Sequence, residues 1–314
     1  MIPMIGSICQ GSLGVSQLGR TWWKTLTRTV DLLDSSYPDH SGGLDTWCLE
    51  ALELDIDEVY AYLRDELPDY VSFERWILQK KGGVLPAAKI AEFNEMLLHR
   101  SHSHRPHKIV ETYADIGFDP EVDDYTSALL LNTLQDWHLF HANDFLADGT
   151  DMVPGMPPLV SSLDVGPLNV KQLARTWYKV MLEAKGWLHA DYPAFGGGLD
   201  RGVFDALRLD RDGTLAYLRE HLPTYMDFER WIVAQVGEVD RAKVEAFEAK
   251  LLNREHAKEK RAGIYELTDC DPTITNGALL NHLEDWRYAY DMAIVPRRPK
   301  VLIASMRVEG IGRR

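Results

Sequence analysis

The sequence predicts an all-α protein built as two tandem, pseudo-twofold-related helical bundles of about six helices each. Three observations predict it. Apolar residues recur at steps of three and four along most of the chain. No alternation of strand and helix signals appears. A long block also returns at a fixed offset: Gln17–Ile77 aligns with Gln172–Ile232 without a gap, 155 residues apart, and 30 of the 61 positions are identical. Gln-Leu-Gly-Arg-Thr-Trp-Trp-Lys at 17–24 meets Gln-Leu-Ala-Arg-Thr-Trp-Tyr-Lys at 172–179. Farther on, Asn132, Asp136 and Trp137 meet Asn281, Asp285 and Trp286 at an offset of 149. Duplication explains such matches; chance does not. The division is 1–147 for the first copy and 148–166 for a Pro/Gly-rich linker. The second copy spans 167–296, and a basic tail spans 297–314.

The elements follow in order. Leu18, Trp22, Leu26, Val30 and Leu33 share a helix face behind Ser16 as N-cap. Asp45 after Gly-Gly caps a second helix. Asp55 or Asp57 caps a third, which Pro68 stops. Ser72, and Asp227 in the second copy, opens a fourth. Pro86 suits the first turn of a fifth, with Ile90, Phe93 and Leu97 inward. The last helix of the first copy runs from about Thr126 to Phe145, and Thr275 caps its partner. Ser101–His107 reads as a solvated His-rich loop. Only Val301–Val308, in the tail, has strand character.

The 314 residues suit two ordinary domains, and 45% hydrophobic with 26% charged residues excludes a disordered chain or a coiled-coil rod. The formal net charge of −14 lies wholly in residues 1–155, which hold 25 acidic and 11 basic residues; residues 156–314 hold 23 of each. A basic sheath for nucleic acid is therefore not expected. No apolar run reaches the roughly 18 residues of a membrane span, and the N-terminal stretch lacks the basic start of a signal peptide. Three scattered cysteines, Cys9, Cys48 and Cys270, form no disulfide framework and point to a reducing, cytoplasmic setting. Oligomeric state stays open.

Gly43-Leu44-Asp45, Leu54-Asp55, Tyr62-Leu63-Arg64 and Phe93–Leu97 together resemble a bacterial family known only as domain of unknown function 5069. The second copy resembles it through Gly198-Leu199-Asp200, Leu209-Asp210 and Tyr217-Leu218-Arg219. The likeness covers half to two-thirds of each copy and implies a small, mostly helical domain. It implies no reaction and no catalytic residues.

Candidate chemistry comes from the residues themselves. Arg20 and Lys24, like Arg175 and Lys179, are one helical turn apart and form either an anion clamp or a charged surface with paired acids. Asp45 and Asp200 are either helix caps or general bases, and His102 and His256 are the remaining acid–base candidates. Glu74-Arg75 and Glu229-Arg230 are expected in structural salt bridges. Trp23 and Tyr178 lie off the apolar stripe, where they would line a ligand cleft. His138 and His141 share a helix face and offer a divalent metal two ligands, although the second copy has Arg287 and Tyr290 there. No other cofactor is expected, because no phosphate-binding loop, dinucleotide fingerprint or nucleophile elbow is present. The leading expectation is a protein that binds a small anionic metabolite, in a cleft within or between the copies, with or without acid–base catalysis. The alternatives are an interaction protein whose acidic first half docks a basic partner, and a metal-binding protein.

Overall fold

A computed structural model of the chain describes residues 1–147 and 152–299. These residues are all-α, with no strand and three isolated bridges among them. The first half contains α1 (Leu18–Thr29), α2 (Leu44–Ala51), α3 (Ile56–Glu66), α4 (Tyr70–Lys80), α5 (Ala87–His99), α6 (Pro106–Ile116) and α7 (Ala128–Leu139). The second contains α8 (Leu173–Ala184), α9 (Leu199–Leu207), α10 (Arg211–His221), α11 (Tyr225–Val236), α12 (Arg241–Leu252), α13 (Lys258–Thr268) and α14 (Gly277–Ala289). α7 and α14 run on into short π-helical turns, Phe140–Phe145 and Tyr290–Ile294.

Each half therefore carries one helix more than expected. The additions are α6 and α13. α6 buries Thr112, Tyr113 and Ile116, and α13 buries Ile264 and Thr268. Pro106 begins α6, so part of the His-rich tract is a helix start, and His102 beside it is buried. The strand candidate Val301–Val308 and most of the basic tail lie outside the described residues.

Side-chain caps fall where short polar residues meet free amides. Asp55, Asp69, Ser127, Asp210, Thr224, Asp240 and Asn276 each accept an amide from the first turn. Five expected caps move. Ser72 lies inside α4, Asp227 inside α11, and Asn276 takes the place of Thr275. Asp45 sits in the first turn of α2 behind Gly43. The start of α1 is unusual: Gln17 replaces Ser16 at the N-cap, in the left-handed region at φ 69°. Gln172 repeats this at φ 71°.

The linker assignment is revised by where residues 156–166 sit. Met156, Leu159, Val160, Ser161, Ser162 and Asp164 are buried. Arg175 takes the carbonyls of Pro158 and Val160, as Arg20 takes those of Pro3 and Ile5. The segment before α8 is thus the counterpart of the chain start, with Met1, Pro3, Ser7 and Gly11 matching Met156, Pro158, Ser162 and Gly166 at the same offset of 155.

The halves interlock through their last helices. Trp286 of α14 packs edge-on to Tyr70 of α4 at 4.4 Å between rings, and Trp137 of α7 packs on Tyr225 of α11 at 4.5 Å. Trp22 and Trp177 lie beneath these pairs and donate their indole N–H to Pro68 and Pro223, at 2.9 and 3.0 Å. Those prolines stop α3 and α10, so a helix terminator also satisfies a buried donor.

Candidate functional site

Each half holds a polar cavity, about 290 Å³ in the first and 300 Å³ in the second. The walls correspond residue by residue. Gln17, Arg20, Lys24, Tyr37, Arg100 and Asn132 line one, with Asp136; Gln172, Arg175, Lys179, Tyr192, Arg254 and Asn281 line the other, with Asp285 paired to Arg175. α1 or α8 supplies the floor. The loop before α2 or α9 supplies the Tyr-Pro wall, and α7 or α14 supplies the Asn and Asp. Residues brought together from such separated places make a cavity within each half rather than a cleft between them.

The predicted clamp residues are here, but their donors are largely taken. Arg20 spans two backbone carbonyls, the Tyr37 hydroxyl and Asp136, the last at 2.8 Å. Arg175 meets Asp285 with two prongs, 2.7 and 3.2 Å. Burial disfavours both guanidinium charges, yet the facing carboxylates outweigh it and hold both pKa values above the ordinary one. These arginines fasten the preceding segment to the bundle. Lys24 pairs with Asp45 at 2.6 Å, and Lys179 pairs with Asp200. Burial pushes both ammonium pKa values down, against the pull of those acids. Asp136 and Asp45 are the balancing acids in the first half.

Asp45 has no exposed surface. It accepts from Gln17, Thr21 and Lys24, and from the amide and hydroxyl of Ser41. Burial opposes its charge, but Lys24 and these donors hold it below the usual carboxylate range. Asp200 is bound likewise by Gln172, Thr176, Lys179 and the Gly196 amide, with its pKa also lowered. A carboxylate so fully hydrogen-bonded is a poor proton acceptor, which argues against the general-base role.

His102 stands behind the asparagine of the first cavity, whereas His256 itself lines the second. His256 bonds Asn281 at 2.8 Å, and His102 bonds Asn132. Burial lowers both histidine pKa values, which favours neutral rings. Trp23 and Tyr178 are corrected: both are fully buried core residues, with Tyr178 edge-on to Phe140 at 4.9 Å. His141 is also corrected as half of a metal pair. Its Nε2 bonds the Leu222 carbonyl at 2.8 Å and must donate there, which removes that lone pair from coordination. His138 faces a separate cavity with Tyr225 and Asp227. Among the described residues, no three His, Cys, Asp or Glu side chains converge to hold a metal. Glu74 and Glu229 are no salt-bridge partners either; each binds the segment preceding α1 or α8, at Ser12 and Leu13 or at Leu168.

Sequence reasoning missed the residue that faces the cavity with capacity left. Gln17 and Gln172 are each 2% exposed and donate to Asp45 and Asp200, leaving both Oε1 atoms unpartnered. The Ser162 hydroxyl is also buried and unpartnered in the second cavity. The signal was available, since Gln17 and Gln172 open the long identical block. Arg100 was missed too. It lines the first cavity and lies over the Trp47 ring at 5.3 Å. Burial and Arg105 push its guanidinium below the ordinary value, with no acid among the causes.

No protein-family model, curated protein or solved structure matches this chain. Among the described residues, no helix is long and apolar enough to cross a membrane.

Proposed function

We propose that the chain is a tandem duplication of one bundle, related by an approximate twofold, that binds a small polar metabolite in the cavity of each half. The observation that carries this is the matched pair of left-handed glutamines with unpartnered buried oxygens. A non-glycine residue in that conformation costs of order 1–3 kcal/mol and persists where the surroundings impose it. A buried acceptor without a donor costs about 1–3 kcal/mol more. Paying both in both halves fits a site whose ligand supplies the missing donor.

In the first cavity the ligand is an anion with a hydroxyl or amine beside its charge. Gln17 Oε1 accepts that donor. Arg100, the free N–H groups of Lys24, and the Ser7 and Asn132 side chains around the first cavity suit the negative group. Binding is favoured over catalysis because Asp45 and Asp200 are locked as ionised pairs and all three thiols are buried. Unpaired thiols fit a cytoplasmic setting. The likeness to domain of unknown function 5069 is consistent with a helical unit of this kind.

Thermal melts of the full chain with hydroxy acids, amino acids and sugar phosphates test the reading. The expected result is a concentration-dependent rise in Tm for one class, reduced in Arg100→Gln. A panel that leaves Tm unchanged throughout overturns it.

A further inference from the structure

The two cavities share their floor but differ in charge. In the first, Arg20 and Lys24 are balanced by Asp136 and Asp45, and Arg100 adds a cation without a counter-acid. The second gains Lys260, but also Glu284 and Asp191. Glu284 holds Lys260 at 2.9 Å. Asp191 accepts from Tyr288 at 2.9 Å on the cavity rim. At the position of Glu284 the first half has Gln135, and at the position of Lys260 it has Lys108, which pairs with Glu111 on its own helix and does not line the cavity. Arg254 stands in the second cavity where Arg100 stands in the first, so the lining side chains leave two positive charges in the first cavity (Arg20, Lys24 and Arg100 against Asp136) and one in the second (Arg175, Lys179, Arg254 and Lys260 against Asp191, Asp200 and Glu284).

A carboxylate on a cavity wall repels an incoming anion and occupies the cation that would attract it. We propose that only the first cavity is a site for a free anionic group, a carboxylate or a phosphate, and that Glu284 closes the second to it. The acidic excess of the first half does not contradict this, because it lies outside the cavity, as at Asp55, Asp57, Asp119 and Glu121. This inference rests on the binding reading above and divides it between the halves.

Isothermal titration of the full chain with inorganic phosphate, and separately with malonate, tests it. The expected stoichiometry is one per chain for whichever anion binds, which also distinguishes the two chemistries. Gln135→Glu gives the first cavity the second one's acid and weakens binding by roughly tenfold or more. Glu284→Gln frees Lys260 and raises the stoichiometry to two. Far-ultraviolet melts of each variant establish that it is folded. Two equal sites in the unaltered chain, or binding indifferent to Gln135→Glu, overturn the division while leaving the binding reading intact. No binding of either anion overturns the division together with its anionic premise.

Discussion

Tyr290 donates its hydroxyl to the carbonyl of Leu67 at 2.8 Å, across 223 residues of sequence. Leu67 ends α3 in the left-handed conformation, φ 45°, where the last carbonyls of the helix have no partner in the helix itself. His141 does the same for Leu222, the end of α10, also at 2.8 Å. The last helix of each half thus completes a helix end in the other half. Tyr290→Phe is expected to lower stability by about 1–2 kcal/mol in urea titration. It leaves packing in place, so an unchanged midpoint would show that the bond contributes nothing.

Gly19 fixes the same interface sterically. A β-carbon there would stand 2.6 Å from the Trp286 ring, which is buried and cannot swing away. The matching position in the second half is already Ala174. Gly19→Ala is therefore expected to cost roughly 1–3 kcal/mol through overpacking, despite the higher helix propensity of alanine. A gain in Tm would contradict the packing described.

Arg175 and Asp285 form the two-pronged buried pair of the second half. Removing one partner leaves a charge buried without compensation, so Asp285→Ala is expected to cost about 3–5 kcal/mol by chemical denaturation. Asp136→Ala is expected to behave alike. The double variant Arg175→Met/Asp285→Leu should recover part of the loss; failure to recover any would assign the cost to packing alone.

Glu229 gives a pH dependence of defined sign. Burial pushes its pKa from 4.5 up to about 7, against the Tyr225 hydroxyl and the Leu168 amide, whose hydrogen bonds favour the charged form. Between these values the folded state holds a proton that the unfolded state has released, so stability falls as pH rises through that window and levels above about 7. The size is a few kcal/mol at most. Glu229→Gln keeps both hydrogen bonds, because its amide can donate to the Tyr225 hydroxyl while its oxygen accepts from Leu168. It is expected to flatten the slope; an unchanged profile would place the titration elsewhere.

Much of this architecture is legible in the sequence, and the omissions have physical causes. α1 to α5 and α7 announce themselves through apolar faces that reach a core. α6 begins inside the Ser101–His107 tract, which reads as a loop, and α13 buries only Ile264 and Thr268. The pairs Arg20–Lys24 and Arg175–Lys179 are correctly seen as one helix face, but not what saturates them. Asp136 lies 116 residues beyond Arg20, and the Pro3 and Ile5 carbonyls carry no side-chain signal. Local pattern does not encode such partners. The buried segment at 156–166 was concealed by its prolines, which resemble a linker until Pro158 is set against Pro3. Trp23 and Tyr178 lie off the first apolar stripe because α1 and α8 are enclosed nearly all round.

The central claim, a preformed ligand cavity within each half, is tested most directly by crystals of the full chain soaked with small hydroxy acids, amino acids and phosphates. The expected result is density for one of them with its donor on Gln17 Oε1 and its anionic group near Arg100. Density seated between the halves instead, or only water in both cavities across the whole panel, would contradict it.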